Sequence, residues 1–290
     1  MAIQEYKSEI NELQKIQLSM LKDFDAVCQR HRISYQLFSG TALGAVRHKG
    51  FIPWDDDIDV VMLREDYERF FDSVSKELDS NKYYVQCEFS EHWPMFFSKL
   101  RLNGTTYIEK YHSHDARIHQ GIYIDIFPCD NLSDSRLMQK LQYIASKIVI
   151  AKSLYARGYE TNSTVKKCFM QFCRILPTEP FKRLCIKRND SSSLKVHTFF
   201  GGGKKFERSI FFREWFEQSV KMQFEDSEFP VSAHYDEMLR VMYGDYMVMP
   251  TLEQRVCKRH AAIVDINKPY TFHLEEQRNM KIEKYTESIR

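Results

Sequence analysis

The sequence predicts an α/β (α+β) chain in which a mixed-sheet core carries a helical insert. Three observations lead there. Apolar residues recur every three or four positions both near the N-terminus and in mid-chain, as amphipathic helices require. Short apolar runs of strand length, Asp57–Met62 and Gly121–Phe127, lie between those helices. Glycine is scarce, ten in 290 residues, which favours helices and short connections over a glycine-rich β architecture.

Leu13, Ile16, Met20, Phe24, Val27 and Cys28 define a first amphipathic helix over 5–31. Ile33–Phe38 follows as a strand. Ser39 is placed to cap a short helix over 40–48, with Gly40 permitting a tight entry. After a loop containing Pro53, Asp57–Met62 forms a second strand and 64–79 a helix. Tyr83–Glu88, Phe96–Leu102 and Thr105–Glu109 are strand candidates, the last two joined by Asn103-Gly104 as a hairpin turn. Gly121–Phe127 is a short apolar strand holding one acid. Leu137, Leu141, Ile144, Ile148, Ala151 and Tyr155 resume helical spacing, two further helical stretches flank Pro177 and Pro180, and Ser232–Tyr243 ends at Gly244. The expected organisation is one catalytic domain over 1–290. It comprises the N-terminal helix, a mixed α/β core over 33–130, a basic helical insert over 134–195 and a closing segment over 206–290.

Composition narrows the function classes. No apolar run reaches the ~18–20 residues needed to span a bilayer, and MAIQEYKSEI is too charged for a secretory leader. Seven cysteines without a tight pairing pattern suggest a reducing, cytoplasmic setting. The net charge of +2 hides an asymmetry: residues 147–205 hold thirteen Lys/Arg against three acids, hence +10. That insert suits contact with an anionic membrane at its inner face, or with a polyanionic glycan; a solvated helical surface is the plainer alternative. No nucleic acid is expected, because no recognised binding module accompanies the charge.

The acids carry the chemistry. In a strand, residues i and i+2 share a face, so Asp57 and Asp59 would stand together with Ile58 turned to the core. Two carboxylates on one face repel, and a hard dication with oxygen ligands, Mg²⁺ or Mn²⁺, relieves that repulsion. Asp125 lies between Ile124 and Ile126, where an acid is costly without a partner. If the two strands are neighbours, Asp125 becomes a third ligand. An acidic surface turn is the alternative for Asp55–Asp57. Ser39, Gly40 and Thr41 open a helix whose free N–H groups would take an anion, with Arg47, His48 and Lys49 following closely.

The stretch SGTALGAVRHKGFIPWDDDIDVVM (39–62) closely resembles the signature of the LicD family, itself similar to the fukutin-related transferases. DAVCQRHRISYQLFSGT (25–41), REDYERF (64–70), KLRLNGTTY (99–107), GIYIDIFPCD (121–130) and QFEDSEFPVSAHYDEMLRVMYGDYMVMP (223–250) resemble further blocks. About 159–206 carries no family pattern. The resemblance implies a nucleotidyltransferase-like fold. It also implies transfer of a substituted phosphate, such as phosphocholine, from a CDP-linked donor to a hydroxyl of a glycan or lipid-linked glycan acceptor. The family's metal-binding acids fall on Asp57 and Asp59, with Asp125 as the third carboxylate. On this reading Ser39, Gly40 and Thr41 cradle phosphate oxygens, and Arg47, His48, Lys49 and Lys99 add charge-assisted bonds. His260 reaches a phosphate or the base, and Trp54 is the preferred aromatic partner for a choline cation, ahead of Trp93 and Trp215. Competing readings are transfer of the nucleotide itself, a glycosyltransferase and a non-catalytic glycan-binding module. His112, His114, His119 and Cys129 invite a zinc reading, but their spacing fits no common structural motif.

Overall fold

The computed structural model describes residues 2–72, 74–110, 117–186, 193–200, 205–251, 253, 255 and 260–276. The chain begins with a long helix, α1 (Ala2–His31), followed by a two-residue strand β1 (Gln36–Leu37), helix α2 (Ser39–His48) and strand β2 (Asp59–Leu63). Helix α3 (Arg64–Asp72) leads to β3 (Tyr83–Gln86), β4 (Ser98–Leu102), β5 (Thr106–Glu109) and the nine-residue β6 (Tyr123–Asn131). Three helices form the insert: α4 (Arg136–Ala156), α5 (Thr164–Ile175) and α6 (Thr178–Cys185). The chain closes with β7 (Lys195–His197), β8 (Ile210–Phe212), the single turn α7 (Glu214–Glu217), β9 (Ser219–Phe224), β10 (Ser227–Ser232), α8 (Tyr235–Tyr243) and β11 (Ala261–Asp265). The mixed architecture expected from the sequence is therefore present.

The main sheet runs β1-β2-β6-β4-β3, and the C-terminal end of β6 adds β7 and β8. Among the described residues only β2 and β6 pair in parallel, which demands the long crossover that lies between them. The strands' two-residue period divides their side chains. Val60, Met62, Leu100, Ile124 and Ile126 join Leu13, Met20, Leu21, Phe24 and Cys28 of α1 in the principal core. The other face sends Val61, Phe127 and Cys129 into a second cluster with Phe38, Phe211, Trp215 and Phe216. Asp59 and Asp125, each two residues from a member of that cluster, lie on this second face.

Several local expectations change. Asn103-Gly104 is not a hairpin turn: β4 pairs with β3 and β6, while β5 pairs with β11, so the Gly104 turn (φ 74°) hands the chain between sheets. Asn103 instead bonds back to the Ser80 and Asn81 carbonyls. The predicted helix 64–79 stops at Asp72 and resumes as a 3₁₀ turn over Val74–Glu77. The predicted helix from Ser232 begins at Tyr235, since Ser232 ends β10, paired along its length with β9. It stops at Gly244 (φ 76°) as expected. Apolar side chains on α4 and α6 pack against Trp93, Met95 and Phe96 of the core, which seats the insert on the sheet's flank.

Candidate active site

Register builds the site. In the β2–β6 ladder Asp59 stands opposite Asp125, and in the β6–β4 ladder Asp125 stands opposite Lys99. The three side chains thus form a row across one sheet face. Asp57, just before β2, completes a carboxylate triplet with Asp59 and Asp125, one oxygen of each lying within 4.8 Å of the others. Burial, then the charge of Asp59, raises the Asp57 carboxyl well above its ordinary range; burial, then Asp125, does the same to Asp59. Burial also raises Asp125, opposed by Lys99 at 2.7 Å. Lys99 is itself buried, 3.1 Å from Glu109 and over the Tyr123 ring at 3.3 Å. The donor set is all oxygen and its charges are crowded, which fits a hard divalent cation such as Mg²⁺ or Mn²⁺ and suits zinc poorly.

A cavity of about 410 Å³ opens above this row. Ser39 and Gly40, the first residues of α2, form its rim, and the amide groups opening this ten-residue helix have no carbonyl partner within it. A Cβ at Gly40 would meet Asp55 Oδ2 at 2.6 Å, so any larger residue there would have to displace the Asp55 carboxylate. Phe97, Tyr123, Phe127 and Tyr243 supply aromatic walls, and His260 closes one side.

His260 enters through Asp56, which the sequence placed only within the alternative acidic turn Asp55–Asp57. Asp56 is 1% exposed and accepts from the His260 and Ala261 backbone N–H groups at 2.8 and 3.0 Å, with His260 Nδ1 also 3.0 Å away. Burial alone would raise Asp56, but these bonds outweigh it and hold the carboxyl below its ordinary value. The Asp56 bond, opposed by burial and aided by Asp57 at 3.4 Å, pushes His260 up to about 10. This pairing stabilises the fold fully below the ordinary histidine value, and its contribution declines above that and is lost as pH rises through about 10. An NMR titration of the metal-free protein is expected to show the His260 imidazole protonated at pH 8. A midpoint near the free-histidine value would refute the pairing.

Ser39 lines the cavity without the capping role expected of it, and several other sequence-predicted residues fall outside it. Ser39 does not cap α2: Phe38 is the N-cap, Ser39 has φ +50°, and its hydroxyl bonds Tyr243 at 2.8 Å. Thr41 is buried, and its Oγ1 accepts the Asp59 N–H at 2.9 Å, so it holds the start of β2 and does not line the cavity. Arg47, His48 and Lys49 lie at the opposite end of α2 and outside the cavity. Arg47 bonds the Tyr246 carbonyl at 2.5 Å, and Lys49 is a left-handed C-cap (φ 58°) whose carbonyl takes the Glu225 N–H. Burial and Arg47 push the His48 imidazole down. Trp54 also lies outside the cavity, edge-on to His48 and under Arg255, while Trp93 and Trp215 are core residues. His112 and His114 lie outside the described residues. His119 bonds Asn103 and Gly121, and Cys129 is buried in the second core cluster, so these two do not form a metal group. Glu109 and Tyr243 gave no local signal; only the assembled sheet and α8 bring them to the cavity.

Comparison with known proteins now bears on this arrangement. The family model described as LicD/FKTN/FKRP, nucleotidyltransferase domain, matches residues 32–155, a span that contains all three acids, Lys99 and the α2 N-terminus. A lipopolysaccharide cholinephosphotransferase LicD of Haemophilus influenzae is 31% identical over 264 residues, covering 86% of this chain and 95% of that protein. The chain belongs to the LicD family. Uncharacterized proteins of Rickettsia typhi and Rickettsia prowazekii are similar over shorter stretches, 39% over 74 residues and 47% over 47, each under a quarter of either chain. The LicD similarity extends well past the matched domain, so it also takes in much of the closing segment that supplies Tyr243 and His260.

Proposed function

We propose that this LicD-family protein transfers phosphocholine from CDP-choline to a hydroxyl of a glycan, releasing CMP, with Mg²⁺ or Mn²⁺ held by Asp57, Asp59 and Asp125. One observation carries the reading: three converging carboxylates stand beside the open N-terminus of α2 in a cavity with aromatic walls. The named activity of the Haemophilus relative supports the choice of phosphocholine and of a glycan acceptor. A dication there supplies charge neutralisation for the diphosphate and for the departing CMP. The N–H groups of Ser39 and Gly40 hold donor phosphate oxygens. The acceptor hydroxyl forms the new P–O bond to the choline-bearing phosphorus as the bond to CMP breaks. Asp125, oriented by Lys99, receives the hydroxyl proton.

Phe97, Phe127 and Tyr243 take the role first assigned to Trp54, offering π surface to the quaternary ammonium, while the Tyr123 ring already carries Lys99. Tyr243→Ala is expected to raise KM for CDP-choline by about fivefold, the worth of one cation–π contact, while Tyr243→Phe stays near wild type. Equal losses in both variants would assign the effect to the Ser39 hydrogen bond instead.

The whole reading is tested by incubating the protein with CDP-choline and a glycan acceptor, with and without Mn²⁺. Metal-dependent release of CMP is expected. Pyrophosphate release from a nucleoside triphosphate would show that the nucleotide itself moves. Preferred turnover of CDP-glycerol or CDP-ribitol would replace choline as the transferred group.

A further inference from the structure

The insert exposes, among the described residues, an apolar surface that has no part in the proposed catalysis. Among the described residues, eight of the seventeen exposed large apolar side chains fall on α4 and α5. On α5, Val165, Phe169, Phe172 and Ile175 are 81, 42, 59 and 73% exposed. At 100° per residue they fall within an arc of about 120°. The opposite side of α5 buries Met170 and Cys173 against Ala151 of α4 and the partly buried Ile148, Leu154 and Tyr155. Thus α5 is apolar on two sides, and one of them stays exposed among the described residues. On α4, the stripe containing Leu137, Leu141 and Ile144 continues the face whose later members, Ile148 and Tyr155, lie under α5. Its first half is uncovered.

Charge selects the occupant. Lys140 on α4, Lys167 on α5 and Arg183 on α6 are exposed, and the segment 147–205 carries +10 in sequence. A water-facing helix would not repeat apolar residues on its exposed arc, and a face meant for a second copy of this cationic segment would set like charges against each other. Aliphatic and phenyl groups beside lysine and arginine fit the interface of an anionic bilayer, where the rings enter the headgroup boundary and the cations meet lipid phosphates. No helix among the described residues is long and apolar enough to cross a membrane, so the contact would lie on the surface.

We propose that α5 and the uncovered half of α4 dock the protein onto an anionic membrane surface. This goes beyond the phosphotransfer reading and does not depend on it. The test is co-sedimentation of the full chain with vesicles of phosphatidylcholine alone and of phosphatidylcholine mixed with phosphatidylglycerol. Wild type is expected to sediment with the anionic vesicles and remain free of the neutral ones. Phe169→Ser/Phe172→Ser and Lys140→Glu/Lys167→Glu are each expected to weaken binding on the order of tenfold. These side chains are exposed, so melting and CMP release without vesicles should match wild type. Absent binding, equal binding to both vesicle types, or unchanged binding by both variants would overturn the proposal. A dimer in sedimentation velocity that the phenylalanine variant converts to monomer would overturn it in favour of self-association.

Discussion

Asp59→Asn is expected to lower CMP release by about three orders of magnitude, the largest functional effect of any single substitution proposed for this protein. The change keeps the side chain's shape and removes one charge from the centre of the row. The backbone should not move: the Asp59 N–H remains bonded to Thr41 Oγ1, and its carbonyl still accepts from Phe38 at 2.9 Å. A second readout separates this from damage. Because burial and Asp125 raise the Asp59 carboxyl, its neutral form favours the fold at acid pH, and that contribution is lost as pH rises through the raised folded value. Above that value the metal-free wild type carries unrelieved repulsion. The Asn variant should melt higher than wild type without metal and gain less from added Mn²⁺. Near-wild-type turnover, or undiminished stabilisation by Mn²⁺, would remove Asp59 from the proposed metal site.

The largest stability effect should come from Arg64, which stands at the junction of β2 and α3. It is 3% exposed, bonds Asp130 through Nε at 2.6 Å and Nη2 at 3.0 Å, and reaches Glu88 at 2.6 Å. Burial would lower its pKa, but the two carboxylates outweigh burial and keep the guanidinium firmly charged. Arg64→Met should destabilise the fold by about 3–5 kcal/mol in urea unfolding, because two carboxylates stay behind without their cation. Adding Asp130→Leu should recover part of that loss, since the penalty lies in the uncompensated charge. A single-variant loss below about 1 kcal/mol would show that water or another cation serves these acids equally well.

The acids were legible in the sequence for an energetic reason. Asp125 between two isoleucines, and Asp57 and Asp59 flanking Ile58, are costly placements in apolar strands, and cost marks function or a partner. The α1 stripe was legible because its apolar spacing matches the helical repeat, and most of its residues enter the principal core. Nearness along the chain misled the reading of Arg47, His48 and Lys49. Ten helical residues at ~1.5 Å each carry the chain about 15 Å, so cations a few positions after Gly40 end at the far end of α2. The hairpin at Asn103-Gly104 failed because a turn signal states that the chain reverses and does not say which strand it then meets.

By itself, then, the sequence determined the class of fold, the helical and strand periods, and the three acids whose burial must be compensated. Tertiary structure alone decided what surrounds them. The β2–β6 register set Asp59 beside Asp125, the β4 register supplied Lys99, and contacts spanning 204 residues brought His260 to Asp56 and Tyr243 to Ser39. Local preferences depend on neighbours a few residues away, and so are written in the chain. Register and long-range pairing depend on the sum of contacts across the whole core, which no short stretch of sequence contains.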